Sequence, residues 1–207
     1  MGGDSYYPNY STYWEYLVAA IKASSDINLV LFDCQGITST IFTGWTQLVS
    51  FSAGNFTIHR TGALFSSCTN MVSMYLPLYI TDTGANTFLS LEKLTDIAIA
   101  SYSYEAGGIS NMFNGCSSLE YLNLEGLQYF NGANTFTNCT SLEKIYLTND
   151  TFYFPNNSCF PAGNTEDITL VLSSAAAGNT VKIDDDGVTA YSTGETYSIK
   201  FKEIIIQ

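Results

Sequence analysis

Positive charge is scarce in this sequence. Seven Lys and Arg residues stand against 19 Asp and Glu residues, which gives a formal net charge of −12. A chain with this balance would be repelled by nucleic-acid phosphates and by anionic membrane surfaces. We therefore expect no nucleic-acid partner.

Long apolar runs are also missing. No stretch approaches the ~18 residues that a membrane-spanning helix needs. The first residues, Met1 to Asp4, have neither the basic nor the apolar region of a signal peptide. We expect no membrane insertion by this segment, and either a cytosolic location or an export signal that is absent from this sequence.

The residues and motifs of common active sites are equally rare. His59 is the single histidine, and neither a C-x-x-C pair nor a G-x-S-x-G motif occurs, which disfavours a zinc site and a serine hydrolase. The acidic run 184–187 fails as a calcium loop, because setting Gly187 at loop position 6 puts Lys182 and Thr193 where carboxylates are needed. We predict a turn there, and we expect no catalytic residue, no metal and no cofactor.

What the chain does contain is apolar and aromatic. Hydrophobic residues make up 46% of the 207 positions, charged residues only 13%, and there are 15 Tyr and 13 Phe. This composition is too apolar for a disordered chain. Its length suits one domain with a sizeable core.

A repeated pattern, F-x-x-C-x-x-L-x-x-L-x-L, dominates the middle of the chain. Two near-copies begin at Phe113 and Phe136, and looser copies begin upstream. The phenylalanines that open a copy are Phe42, Phe65, Phe88, Phe113 and Phe136, with Phe160 as a further candidate. Their spacings of 23, 23, 25, 23 and 24 residues fall in the range of leucine-rich solenoids.

Each copy changes its hydrophobic period from one end to the other. Phe, Cys and Leu recur every three residues, as on one side of a single helical or 3₁₀ turn, and L-x-L then alternates as a strand requires. One such unit cannot bury its own apolar side, whereas stacked units share it. The pattern predicts a solenoid of short parallel strands stacked as rungs. Its predicted core is Phe65, Leu94, Ile97, Leu119, Leu122, Leu124, Leu142, Ile145 and Leu147.

The segments before the repeats indicate a cap. Thr12 and Glu15 form a capping box, and apolar residues at i, i+3, i+4 and i+7 predict a helix over about 12–24. We expect this helix to cover the first rung, although a helix that binds a partner is the alternative. A short strand is predicted over 27–33.

The end of the chain departs from the template. Residues 168–172 look like a strand whose alternation has slipped by one residue, which predicts the last rung. Two short strands around an Asp-Gly turn follow within 181–191, and 196–206 supplies another strand. We interpret this region as a C-terminal β cap. The predicted organisation is an N-terminal segment with the capping helix (1–26), the solenoid (27–172) and the cap (173–207).

The cysteines are odd in number: Cys34, Cys68, Cys116, Cys139 and Cys159. Three of them share the repeat slot that Trp45 and Leu91 fill in other copies, which indicates an apolar slot with buried thiols. A bridge between Cys116 and Cys139 is the alternative, because neighbouring rungs lie ~4.8 Å apart. Equivalent side chains on stacked rungs point in parallel, however, rather than toward each other.

The copies that begin at Phe113 and Phe136 closely resemble the BspA-like leucine-rich repeats of bacterial surface proteins. The resemblance covers 36–172, with departures at Trp45, Leu91 and Ala53. It implies a right-handed solenoid, an extracellular or cell-surface location, and adhesion or binding rather than catalysis. It implies no particular ligand.

Alternate strand residues point away from the core and form two exposed columns. The first column is Ser50, Ser73, Asp96, Tyr121 and Lys144, and the second is Ser52, Tyr75, Ala98, Asn123 and Tyr146. Tyrosine rings beside polar groups suit protein or sugar surfaces. The predicted ligand-binding residues are Tyr75, Asp96, Tyr121, Asn123, Lys144 and Tyr146. The alternative is that tyrosine here only satisfies β-propensity and packs on its neighbours.

These patterns predict a non-enzymatic binding or adhesion module of a bacterial surface protein. Its partner would be a protein or a glycan on a host or neighbouring cell. The alternative is a structural stalk or spacer within a larger cell-envelope protein.

Overall fold

The structure is a computed structural model. It describes residues 19, 23–24, 26–31, 35–37, 42–53, 57–58, 63–80, 86–102, 110–124, 133–147, 159–160, 165–179, 181–192 and 198–207. The strands within them are β1 (Ile27–Leu31), β2 (Gln35–Ile37), β3 (Leu48–Ala53), β4 (Thr57–Ile58), β5 (Ser73–Ile80), β6 (Asp96–Tyr102), β7 (Tyr121–Asn123), β8 (Lys144–Leu147), β9 (Thr169–Leu172), β10 (Val181–Ile183), β11 (Thr189–Ser192), β12 (Ile199–Lys200) and β13 (Glu203–Ile206). A 3₁₀ turn spans Thr165–Asp167 and a short helix, α1, spans Ser174–Asn179.

A parallel sheet forms one wall of a solenoid, as the repeat pattern predicts. Its strand order is β1-β3-β5-β6-β7-β8-β9-β13, and the short β2 and β4 branch from it next to β5. Ile97 lies in register with Leu122, and Leu122 with Ile145. All nine predicted core residues are buried. The repeats therefore stack as rungs, each made of a turn and the strand that follows it.

The phenylalanines that open the copies form a continuous stack on the turn side. The ring centroids of Phe88 and Phe113 lie 5.3 Å apart with planes 17° from parallel, and those of Phe113 and Phe136 lie 5.9 Å apart. Phe160 continues the series, with its centroid 4.9 Å from that of Phe136. The sixth phenylalanine thus belongs to the repeat. We call these six residues, Phe42, Phe65, Phe88, Phe113, Phe136 and Phe160, the phenylalanine stack.

The turns carry their own backbone ladder. The amide of Phe88 donates to the carbonyl of Met112 at 3.0 Å, and the amide of Phe113 donates to Thr135 at 3.1 Å. Wherever the structure describes them, the residues two before and two after a phenylalanine of the stack adopt positive φ, which favours Gly and Asn. They are Gly44, Ala63, Ser67, Asn86, Ser90, Asn111, Gly115, Asn134 and Asn138. The Gly, Asn or Ser before each Cys-type slot is the sequence signal for this geometry, and it was missed.

The cysteine slot holds buried, unbridged thiols at Cys68, Cys116 and Cys139. Cys159 is also buried and unbridged, but it lies directly before Phe160 and outside this slot. Cys116 and Cys139 are not bridged, which favours the apolar-slot interpretation. The thiols also donate hydrogen bonds to the preceding rung: Cys139 Sγ lies 3.1 Å from the carbonyl of Phe113. Burial raises the pKa of Cys139 to about 12, so this thiol stays protonated at neutral pH. Cys34 lies outside the described residues.

The C-terminal region contradicts one prediction. The strand β9 takes the slipped register, with Leu170 rather than Thr169 opposite Ile145. It is not the last rung, however, because β13 pairs with it in parallel, Ile205 opposite Val171. The sequence predicts a strand within 196–206, where β13 lies, but not its pairing with β9, because the chain first forms α1 and an antiparallel sheet of β10, β11 and β12 before it returns.

The predicted turn at 184–187 is present between β10 and β11. The Asp186 carboxylate accepts hydrogen bonds from the amides of Val188 and Thr189 and from the Thr189 hydroxyl. These bonds, chiefly that from the Thr189 side chain, lower the pKa of Asp186. The acidic run therefore shapes a hairpin turn.

The N-terminal predictions are only partly covered. The predicted strand over 27–33 is present as β1, which pairs in parallel with β3. Most of the predicted helix over 12–24 lies outside the described residues, apart from Ala19, Ala23 and Ser24. The amide of Ala23 donates to the carbonyl of Ala19 at 3.2 Å, the spacing of an α-helical bond. His59 also lies outside the described residues, directly after β4.

Candidate ligand-binding face

The strand register brings the six predicted site residues onto one face of the main sheet. In the first column, Ser73 pairs with Asp96, Asp96 with Tyr121, and Tyr121 with Lys144. The second column runs in the same order: Ser52, Tyr75, Ala98, Asn123, Tyr146. The predicted columns are therefore continuous from β3 to β8, over about 20 Å at ~4.8 Å per strand.

Exposure differs along this face. The side chains of Tyr75 and Tyr121 are 55% and 44% exposed, although tyrosine carries a large apolar ring. Asp96 and Asn123 are exposed as well, whereas Lys144 and Tyr146 are half-buried. The alternating residues between them, such as Leu122 and Ile145, face the core. The outward side chains are thus available to a partner along most of the face.

At the C-terminal end of the face, a cation and an aromatic ring contact each other. The ammonium of Lys144 lies 5.9 Å from the centroid of the Tyr146 ring, within the range of a cation–π contact. Both residues belong to β8 and are two positions apart, so their side chains leave the sheet on the same side. The next strand continues both columns with Thr169 and Val171, but these are only 7% and 1% exposed. The accessible face therefore ends at β8.

The N-terminal part of the face contains a shallow groove that is not among the predictions from the sequence. The groove has a volume of about 210 Å³ and is lined by Ser50, Ser52, Ser73, Tyr75 and Asp96, together with Phe51 and Met74. Phe51 and Met74 bury their side chains in the core, so they line the groove with their main chain. We call this feature the serine groove.

The serine groove arises from small residues beside a large one. Three serines occupy column positions in β3 and β5, and the tyrosine of β5 rises beside them as a wall. The Ser50 hydroxyl donates to Asn28 Oδ1 at 2.6 Å, which anchors one end of the groove to β1. The six predicted site residues included Tyr75 and Asp96 but none of the serines. A signal was available, because a run of small residues in both columns predicts a depression next to the first large residue.

Two further properties of the described residues bear on metal binding and on thiol reactivity. Within the described ranges, no group of three or more His, Cys, Asp and Glu side chains could hold a metal ion. Burial raises the pKa of the Cys68 thiol to about 11, which makes it a poor nucleophile at neutral pH. A separate finding concerns the helices: none that the structure describes is long and apolar enough to cross a membrane.

Comparison with known families identifies the repeats. Residues 27–123 match a family model described as "BspA type Leucine rich repeat region", in six copies. No curated protein and no solved structure matches the chain. The rungs that open at Phe136 and Phe160 lie beyond the matched residues, yet they continue the same stack. The matched repeats indicate a protein-interaction or repeat module.

Proposed function

Because the repeat region of this chain belongs to the BspA type of leucine-rich repeats, we propose that the chain is a binding module of a bacterial surface protein. It acts outside the cell or at its surface and attaches to a protein on a host or neighbouring cell. Binding uses the two exposed columns, and the chain itself carries out no catalysis. These repeats serve as a scaffold, so the partner is specified by the residues they display.

The observation that carries this proposal is the exposure of aromatic rings along a continuous register. Tyr75 and Tyr121 stay 55% and 44% exposed in a fold that buries every phenylalanine of its stack. Tyrosine is enriched among the residues that dominate binding energy, because its rigid ring offers a large area and its hydroxyl a hydrogen bond. Asp96, Asn123 and Lys144 surround these rings with polar groups that can fix the orientation of a partner.

The size of the face also bears on its use. The two columns are about 20 Å long and about 7 Å apart, so together they cover well under the ~800 Å² that each partner buries in a standard interface. We therefore expect modest affinity from this chain alone. Repeated copies on a cell surface would strengthen attachment through avidity.

A binding screen followed by substitution tests the proposal. The whole chain is applied to arrays of extracellular matrix proteins, bacterial surface proteins and glycans. For any ligand found, replacement of both Tyr121 and Tyr146 by Ala should weaken binding at least tenfold, because two aromatic contacts are lost. The matched control replaces Ser118 and Ser141 by Ala, since these residues lie in the turns of the same two rungs.

The outcomes separate the alternatives. Binding that the tyrosine substitutions leave intact and the serine substitutions abolish would overturn the assignment of the face. A ligand found only among glycans would replace the protein partner by a sugar. Failure to bind anything on the arrays would favour a stalk or spacer, and would overturn the proposed function.

A further inference from the structure

We infer that the serine groove receives an arginine side chain from the protein partner. This inference rests on the proposed function and specifies the chemistry of the partner. It draws on four features of the groove: an unpaired carboxylate, a serine hydroxyl that already donates its proton, a tyrosine ring with no cation from its own strand, and a small volume.

The carboxylate is that of Asp96. It is exposed at the groove, and no basic side chain of the described residues forms an ion pair with it. Lys93, its neighbour in sequence, donates to Asn70 Oδ1 at 2.6 Å instead. Lys144, the cation of the same column, lies two strands away, about 10 Å along the sheet. In a chain of net charge −12, an exposed unpaired carboxylate attracts a cationic partner.

The Ser50 hydroxyl adds a hydrogen-bond acceptor beside this carboxylate. The Ser50 hydroxyl already donates its proton to Asn28 Oδ1, so only its lone pairs remain for a ligand. The groove can therefore take hydrogen bonds from a ligand at Ser50 and at Asp96. A guanidinium presents five N–H donors and no acceptor, which matches this arrangement. A phosphate or a carboxylate would meet repulsion from Asp96.

The Tyr75 ring can be compared with a second tyrosine of the same face that already contacts a cation. Tyr75 and Tyr146 occupy the same column, and each has a first-column residue two positions before it. At β8 that residue is Lys144, whose ammonium lies 5.9 Å from the Tyr146 ring centroid. At β5 it is Ser73, which brings no cation to the Tyr75 ring. An arginine from the partner would supply at Tyr75 the cation–π contact that Lys144 already makes at Tyr146.

The volume of the groove limits what can enter. About 210 Å³ is below the ~300–1,000 Å³ of clefts that enclose a whole small-molecule ligand. The groove therefore accommodates one side chain, while the rest of the partner lies along Tyr121 and Asn123. This division of roles agrees with interfaces in which one anchor residue enters a pocket.

The test uses two matched probes on the whole chain. Chemical shifts of the ¹⁵N-labelled protein are followed by NMR during titration with N-acetylarginine amide, and separately with N-acetylcitrulline amide. Citrulline has nearly the same shape but carries a neutral urea group. The arginine probe should shift the amides of Ser50, Ser73, Tyr75 and Asp96, and the citrulline probe should bind about fivefold more weakly or not at all. Raising the salt concentration should weaken only the arginine response.

Two substitutions and one control sharpen the result. Asp96→Asn should weaken the arginine probe about fivefold, because it removes the charge and keeps the shape. Ser73→Lys should abolish the response, because its own ammonium would take the place beside Tyr75. Glu92→Gln removes an exposed negative charge in the turn of the same rung, and it should change nothing.

The inference fails if citrulline matches arginine, if Asp96→Asn has no effect, or if methyl hexosides shift the same amides more strongly. If a protein partner is found whose binding needs Tyr121 and Tyr146, but the arginine probe causes no shifts in the groove, this inference is overturned and the proposed function stands. An arginine response in a chain that binds no arrayed protein would support the groove assignment and overturn the proposed function.

Discussion

The turn side and the exposed face of the same rungs follow opposite rules. On the turn side, the rungs that end in β3, β5, β6, β7, β8 and β9 each place a phenylalanine in the same slot, and each of these rings is buried against the next. On the exposed face, no two rungs carry the same pair of residues. The pairs are Ser50 with Ser52, Ser73 with Tyr75, Asp96 with Ala98, Tyr121 with Asn123, and Lys144 with Tyr146. A slot that touches two neighbours must keep one shape, whereas a solvent-facing position can vary with the ligand.

The largest effect should come from breaking the phenylalanine stack at its centre. Phe113 is fully buried between Phe88 and Phe136. Replacing it by Ala removes a large apolar group and leaves a cavity, which should lower the free energy of unfolding by about 3–5 kcal/mol. Urea denaturation followed by circular dichroism measures the change.

A matched variant separates volume from other effects. Phe113→Leu keeps much of the apolar volume and should cost under about 1.5 kcal/mol. Equal losses in the two variants would show that the ring stack, rather than filled volume, holds the rungs together. A loss below 1 kcal/mol in Phe113→Ala would contradict the buried position.

A smaller effect should appear at alkaline pH in the cysteine slot. Burial raises the pKa of Cys68 from 9.0 to about 11, although hydrogen bonds from the amides of Trp45 and Gly44 oppose the shift. Between about pH 9 and pH 11 the unfolded thiol loses its proton while the folded one keeps it. Unfolding is therefore favoured as pH rises, by about 1.4 kcal/mol per pH unit from this thiol.

The change is measured as a difference between two proteins. The free energy of unfolding of the wild type should fall more steeply than that of Cys68→Ala across this range. Ionisation of tyrosines and of the other thiols occurs in both proteins, so it cancels in the comparison. Parallel slopes would mean that the Cys68 thiol is not held protonated by burial.

The repeated slots are the part of the fold that the sequence predicts well. Ile97, Leu122 and Ile145 align because each must fill the gap left by its neighbour, so one spacing determines the whole stack. The same reasoning places Tyr121 and Lys144 outside, because strand residues alternate. Both exposed columns follow from the period alone.

Features that occur only once in the chain, and so do not follow from the repeat, are harder to predict. The strand β13 follows α1 and an antiparallel sheet, and nothing in Glu203–Ile206 repeats the template. The positive φ of Ser67 and Ser90 comes from the turn, and serine is a weak marker of it. The serine groove depends on differences in side-chain size between adjacent rungs, and a consensus repeat pattern does not contain these differences. Such differences are also where the ligand is specified.

The smallest expected effect on stability is at Tyr121, in the same rung as Phe113. Its side chain is 44% exposed and lies opposite Asp96 and Lys144 rather than against the core. Tyr121→Ala should change the free energy of unfolding by less than about 0.5 kcal/mol, as is usual for surface substitutions. Urea denaturation alongside Phe113→Ala gives the contrast within one rung. A loss above 1 kcal/mol would instead show that Tyr121 packs on its neighbours to stabilise the sheet, and the argument that its exposure serves a partner would fail with it.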